Sequence, residues 1–479
     1  MTKSSSTTAH GSHPTGQVCT FEDWQDIKEL FAKAAEQYNE TDAVEAMPLL
    51  RAVIHECHRF LLFYPDPSEL ILQPSCPPSP DQKRSVTKSP SQRQHPQKGK
   101  DAARPEDPVP SPNETLEGSN PNLIAEQPTA FHAILGITLF LFGNLIAHDP
   151  SLALEGESAS PTAYWLAALD VFETGESLPS RTDPKMCDAP EDWRMAVVWG
   201  RTLVCLADVK ITRSINAAQG NLDCLNSQGC FTAEDEPDWS PDSPFHAIAS
   251  RRPPVTRRMT LTSASAHDLM VLAMDQFSRG ILHMPRRHPS LKGDLHQHAL
   301  TIGPHFSRAG ELFAIASEVL GVAERLDSPD DRHRFSFWAD SIFNQVLKSS
   351  LSASTEWSTR VALCRGRCWL NMASSKIEEY ESSMERGDDS ILGSLQVAET
   401  RDELVTAIEY FEQAKSADPS TIGEDELAPL RPLLVEALVS LANLYPDETE
   451  REKLYSRAQK ESGDCRIFWG DEDSMDMDP

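Results

Sequence analysis

The chain has 479 residues, with Asp+Glu 73 against Lys+Arg 44 and a formal net charge of -29. A surface this acidic repels nucleic-acid phosphates, which excludes duplex binding as the main activity and suits basic protein partners. Hydrophobic residues are 39%, enough for one extended repeat domain or two to three compact ones, and 35 prolines gather in clusters that mark linkers.

Residues 1–17 are rich in Ser, Thr and His, without an apolar signal core, and are expected to be disordered. The 10 cysteines form no Cys-x-x-Cys pair, so reduced thiols serving as small core residues are expected. Over 18–70 the pattern predicts a helical hairpin. Trp24, Ile27, Leu30, Phe31, Ala34, Ala35 and Tyr38 recur at helix spacing after Thr20. Thr41 or Asp42 can cap a second helix, which presents Val44, Met47, Leu50, Val53, Ile54, Cys57 and Leu61 and ends at Tyr64-Pro65-Asp66-Pro67.

Residues 71–128 break the pattern. Prolines punctuate a basic run from Lys83 and Arg84 through Lys88, Arg93, Lys98 and Lys100 to Arg104, and large apolar residues are nearly absent. Such a segment buries too little to order itself, and reads as a disordered insertion, a solvated spacer or a targeting element.

From 129 to 463 helix follows helix. Phe131 to Ala147 is apolar but carries His132, Thr138 and Asn144 and falls short of the ~20 apolar residues a bilayer requires, so a buried core helix is expected and no membrane contact. Within this region 221–258 reads as a polar loop, and 464–479 as an acidic tail.

A tetratricopeptide-like signature runs through the helical region: Ala, an aromatic four later, a small residue three after that, then proline. Ala273, Phe277, Gly280 and Pro285 match it, as do Ala407, Phe411, Ala414 and Pro419. Ala168 and Phe172 match the first half, and Ala373 and Ile377 match weakly. First-helix counterparts, a bulky residue before Gly, are Leu135-Gly136-x-x-Leu139, Trp199-Gly200-x-x-Leu203 and Arg365-Gly366-x-x-Trp369. The expected fold is all-α: a small N-terminal helical unit, then a superhelix of TPR/HEAT-like repeats whose concave face binds proteins. An ordinary helical bundle is the competing reading.

Candidate chemistry is sparse. His55 and His58 lie at i and i+3, not in a His-Glu-x-x-His frame, and the His296-x-His298 pair, just after Asp294, is followed by no third ligand of obvious spacing. Both read as surface or core polar groups. Arg251, Arg252, Arg257 and Arg258 flank Pro253-Pro254 as the densest basic patch, fit to meet an acidic partner, to direct import, or to be a solvated loop. No phosphate loop, nucleophile elbow or His-x-Asp/Glu iron motif occurs, so no catalysis, metal or cofactor is expected.

Three blocks resemble the fungal enhancer of translation termination family, also described as negative regulators of a prolyl-hydroxylase-like oxygenase. They are Pro48 to Leu61, Phe131 to Leu145 running on through Leu152–Glu157 and Tyr164–Leu169, and Glu191 to Leu203; Ala407 to Lys415 agrees too. The resemblance implies a non-catalytic adaptor that binds an iron- and 2-oxoglutarate-dependent prolyl hydroxylase acting on a basic small-subunit ribosomal protein. It implies roles in translation termination and oxygen-responsive (hypoxic) gene expression, largely in the nucleus and in part in the cytoplasm. The family opens with a Lys/Arg-rich segment, whereas 1–17 holds only Lys3, leaving the basic runs further on to replace it. A generic TPR co-chaperone or assembly scaffold is the alternative; a metal-dependent hydrolase through the histidines is the remote third.

One expectation is testable from sequence alone. Deleting Pro74–Pro128 should leave the melting temperature nearly unchanged, because the segment offers little to bury. A large drop would show that it packs against the fold.

Overall fold

The computed structural model describes residues 18–40, 42–71, 127–178, 192–218, 239–241, 243–251, 264–286, 306–349, 355–387, 389–416 and 428–463. Among them there are fourteen α-helices and no strand. The expected disordered N-terminus, nearly all of the 71–128 insertion, the His288–His298 region and the acidic tail lie outside the described residues.

Helices α1 (Phe21–Asn39) and α2 (Ala43–Phe63) form the first antiparallel pair, with the short α3 (Ser68–Ile71) beside α1. The second pair is α4 (Ala130–His148) and α5 (Pro161–Glu176). The third is α6 (Trp193–Ala218) and α8 (Ala266–His283), with the short α7 (Pro244–Ser250) between them in sequence. The fourth pairs α9 (Arg308–Ala323) with α10 (Pro329–Ser349), the fifth α11 (Thr355–Glu385) with α12 (Leu395–Lys415), and the last α13 (Leu430–Asn443) with α14 (Glu448–Ser462).

Local chemistry sets the helix starts. Thr20 and Asp23 close a capping box on α1, and Ser265 and Asp268 close another on α8. Asp42 caps α2 by accepting from the Glu45 amide at 3.0 Å. The α8 end is held differently: the Arg308 guanidinium donates to the carbonyls of Met284 and Ile281 at 2.6 and 3.0 Å. It satisfies acceptors that the helix end leaves open.

The pairs are joined by one recurring contact. A Cβ built on Gly136 of α4 would lie 2.2 Å from the Phe172 ring of α5. On Gly200 of α6 it would lie 2.6 Å from the Phe277 ring of α8, and on Gly366 of α11 2.5 Å from the Phe411 ring of α12. Each of these three glycines therefore faces its second-helix aromatic, and at these positions only a bare backbone leaves room for the ring as it sits. The small residue three positions after the aromatic does the reverse. A Cβ on Gly280 would meet Val197 of α6 at 2.7 Å, and one on Gly175 would meet the His132 Cβ of α4 at 2.7 Å. Ala273, Phe277, Ala407, Phe411 and Ala414 are all fully buried.

Stacking between pairs uses larger rings. Trp199 stacks on Phe172 at 5.8 Å and Trp338 on Phe277 at 6.0 Å. Trp24 and Phe60 meet Phe131 at 6.1 and 6.0 Å, so α1 and α2 share one core with α4. That core continues as far as Cys368 in α11, and a second apolar cluster runs from Ala362 to Ala458.

Three expectations need correction. Val44 is 74% exposed, because α2 buries Ala46 instead, on the face that meets α1 and α4. Ala373 and Ile377 start no second helix: they continue the same α11 that carries Gly366, since no breaker interrupts its 31 residues. The stretch read as a polar loop over 221–258 contains α7, which packs on α2 and α5. Trp239 and Phe245 stack on each other at 4.6 Å and cover Tyr164, an apolar payload large enough to hold a seven-residue helix in place. The apolar α4 is long enough to cross a membrane by length and composition, yet 61% of its most apolar window is buried inside the fold.

Phe411→Ala should cost about 3–5 kcal/mol of stability in denaturant unfolding, as for a fully buried aromatic. Gly366→Ala should cost about 1–3 kcal/mol by overpacking the same contact. Adding Phe411→Leu to Gly366→Ala should recover part of that loss, a coupling of roughly 0.5–3 kcal/mol. Strict additivity would mean that the two residues do not meet.

Candidate protein-binding face

Every first helix meets the first helix of the next pair: α1 with α4, α4 with α6, α6 with α9, α9 with α11, and α11 with α13. Each second helix meets the first helix of the following pair. The row whose members all touch lies on the inner side of the stack, so α1, α4, α6, α9, α11 and α13 form one continuous inner layer.

Helical periodicity then selects what that layer presents. On α4 the half-buried stripe is Ile134, Ile137, Leu141 and Asn144, apolar until its last member. On α6 it is Val198, Arg201, Cys205 and Asp208. On α9 it is Ala314, Ser317, Gly321 and Glu324, and on α11 the neighbouring positions hold Arg367, Asn371 and Ser374. A side chain at Gly321 would enter open space. The face is therefore apolar toward the N-terminal end, charged in the middle and lined by small residues on α9.

Polar contacts tie adjacent first helices together along this face. Asn144 donates to the Tyr38 hydroxyl at 3.3 Å and accepts from the Trp165 indole at 3.0 Å. Arg201 reaches Glu311 and Glu318 of α9, each at 3.2 Å. Arg325 pairs with Asp208, and Arg367 makes a two-pronged pair with Glu324 at 3.0 and 2.6 Å. The Arg367–Glu324 pair has the two-pronged geometry in which a guanidinium fork is strongest.

Burial acts on the same groups. It pushes the Glu318 carboxyl above its ordinary range; Arg201 opposes that shift and Glu311 adds to it. Burial also works against charge on Arg201, but Glu318 and Glu311 hold its pKa above the ordinary value. Burial raises the Cys205 thiol to about 12 and the Cys364 thiol to about 11, so both are protonated, small and unreactive at neutral pH. The described cysteines, Cys19, Cys57, Cys205, Cys364 and Cys368, are all free.

The other candidates from sequence fall elsewhere. His55 is 74% exposed and faces Glu56 at 3.5 Å. His58 is half-buried, its pKa lowered by burial and by the neighbouring His55 and Arg251. Among the described residues no group of three or more His, Cys, Asp or Glu side chains is placed to hold a metal ion. Arg251 ends α7 and donates to the Tyr64 carbonyl at 3.1 Å, whereas Arg252, Arg257 and Arg258 lie outside the described residues. Sequence reading passed over Gly175 and the fourth pair. There Ile315-Ala316-x-x-Val319 and Ala339-x-x-x-Phe343 keep the repeat register, with alanine in the glycine position, and all five are buried. The spacing alone was enough to find them.

No family model matches the chain, and no curated protein matches it. Among solved structures it is similar to the S. pombe nuclear import adaptor Nro1, in one crystal form at 13% identity and TM-score 0.42 over 92% of this chain and 94% of that one. A second crystal form gives 12% and 0.41 over 94% and 93%. A structure described as "The hypoxic regulator of sterol synthesis Nro1 is a nuclear import adaptor" gives 12% and 0.44 over 92% and 87%. At these values the likeness assigns no activity and no partner.

Arg201→Met should destabilise the fold by on the order of 1–2 kcal/mol at pH 7, below the figure for a fully buried pair because Glu318 and Glu311 remain about one-third open. The folded-state pKa of Glu318 is already raised and loses its one lowering partner in the variant. Its cost to folding is therefore absent below the unfolded carboxyl pKa of about 4.3 and develops as pH rises through the higher folded value. Denaturant melts at pH 4 and pH 7 should show the gap between wild type and variant closing at the acid end. A gap that widens on acidification would contradict this pairing.

Proposed function

We propose that the chain is a non-catalytic adaptor that holds proteins on the inner face of its first helices. The observation that supports this reading most directly is the unbroken row α1, α4, α6, α9, α11 and α13, a long surface with an apolar stretch followed by a charged one. Such a surface fits extended polypeptide better than a small substrate. The partners proposed from the resemblance are an iron- and 2-oxoglutarate-dependent prolyl hydroxylase and the basic small-subunit ribosomal protein on which it acts. The resulting roles are accurate translation termination and control of hypoxic gene expression, in the nucleus with a cytoplasmic pool.

The apolar stretch on α4 (Ile134, Ile137 and Leu141) suits a contact that tolerates salt. The net charge of -29 suits a basic ribosomal protein through long-range attraction that salt screens. A co-chaperone that clamps a carboxylate terminus fits less well. Asn144 and Arg201, the two side chains nearest such a role, are engaged by Tyr38, Trp165, Glu311 and Glu318 within the chain.

The test is affinity purification of the tagged full chain from its own cells at increasing salt. The oxygenase should be recovered throughout, while the ribosomal protein should fall away between ~0.1 and ~0.5 M salt as the Debye length shrinks. A deletion strain should read through stop codons more often. Recovery of no oxygenase, together with normal termination in the deletion strain, rejects this function and leaves the co-chaperone reading.

A further inference from the structure

On the outer side of the N-terminal pairs, α2, α4, α5 and α7 line a half-open pocket of about 330 Å³ that the adaptor reading does not use. Leu61, Pro65, Leu135, Val171 and Ile248 form most of its wall, and His132, Asp170, Thr174 and Arg251 supply its polar groups. This composition, an apolar wall with a few convergent polar groups, is that of a small-molecule site, and the volume sits at the lower end of the range such sites occupy.

Among the described residues Arg251 is the one cation in this wall. Most half-buried arginines of the described structure meet a carboxylate: Arg51 with Glu157, Arg59 with Asp23, Arg279 with Glu176, and Arg365 with Asp340. Arg308 and Arg401 use two nitrogens each on backbone carbonyls instead. Arg251 makes a single bond, from one Nη to the Tyr64 carbonyl, and meets no carboxylate among the described residues. Burial alone shifts its pKa, downward, which marks a charge without a compensating partner.

His132 stands elsewhere in the wall, 3% exposed. Burial lowers its pKa to about 4, so the imidazole is neutral at pH 7. Its Nδ1 is occluded and has no hydrogen-bond partner among the described residues, so the ring can reach a ligand only through its Nε2 edge. Glycine at 175 is what lets α5 approach this side chain, since a Cβ there would meet the His132 Cβ at 2.7 Å. Asp170, 6% exposed, brings a carboxyl group into the same wall.

We propose that this cavity binds a small monocarboxylate with a short branched apolar body, its carboxylate on Arg251 and its body against Leu61, Leu135, Val171 and Ile248. A single negative charge matches the one unpaired guanidinium, and the apolar wall disfavours a filling of water alone. Water is the alternative occupant, since the volume would hold roughly ten molecules. Waters at the open mouth bond to solvent, whereas those against Leu61, Leu135, Val171 and Ile248 are short of polar partners.

The probe is 4-methylpentanoate, titrated into the full chain by calorimetry and by ligand-observed NMR. The neutral 4-methylpentan-1-ol and the dicarboxylate glutarate serve as comparisons. 4-Methylpentanoate should bind with a Kd of about 1 mM or tighter, and each comparison compound at least about tenfold more weakly. Arg251→Gln should weaken 4-methylpentanoate binding about tenfold or more, with only a small fall in melting temperature from the lost bond to the Tyr64 carbonyl. Val171→Phe, which fills the cavity, should abolish it; if that variant fails to fold, Ile248→Phe on the short α7 makes the same test outside the repeat core. Equal binding of acid and alcohol, or undiminished binding by Arg251→Gln, would overturn the assignment of the carboxylate to Arg251. No binding of 4-methylpentanoate at about 10 mM would overturn the site altogether and leave a cavity that holds water. These outcomes are independent of the oxygenase and ribosomal partners.

Discussion

The architecture rests on the seating of an aromatic ring from one helix against the bare backbone of a glycine on its partner. It occurs at Phe172 on Gly136, Phe277 on Gly200 and Phe411 on Gly366. A ring that close to a Cα fixes the distance between the two helices and their rotation about their own axes. It also places the next tryptophan: Trp199 follows Gly200's register onto Phe172, and Trp338 lies on Phe277. Within-pair geometry and pair-to-pair geometry thus share the same side chains. Interiors packed at this density deform little, so an error at one pair is passed along the stack.

The inner layer follows from that arrangement. In the pairs that carry the aromatic and small residues the second helices are held to one side, and along the whole stack the first helices touch one another. Where they touch, carboxylates and guanidinium groups pair across the gap, as Arg201 does with Glu311 and Glu318 and Arg367 with Glu324. The face offered to partners is therefore partly committed to holding the stack together. Binding that displaced Arg201 from its carboxylates would have to supply their compensation. The apolar members on α4 carry no such commitment.

The N-terminal pairs differ from the rest in carrying a second layer. There α7 lies on α2 and α5 and walls one side of a half-open pocket that includes a buried neutral histidine. Gly175 serves two ends at this place: it occupies the small position of the repeat signature and makes room for His132. A position that satisfies the repeat and shapes a cavity links the outer side of the fold to the same packing rule that forms the inner side.

Much of this was legible in the sequence. Thr20 and Asp42 announce the starts of α1 and α2, the apolar run from Phe131 reads as a core helix, and the alanine–aromatic–small spacing picks out Phe277 and Phe411, both of which are fully buried. These features are decided within a few residues, by capping hydrogen bonds and by which side chains share one helix face, so a single chain segment carries them whole. Tertiary structure decided the rest. Nothing local says that Gly200 seats Phe277, that α7 covers Tyr164 or that Arg201 crosses to α9, because each joins segments separated by connections of unlike length. The outward turn of Val44 is decided in the same way, by which face of α2 its neighbours leave to solvent. Periodicity specifies a face; only the partner helix specifies what that face meets.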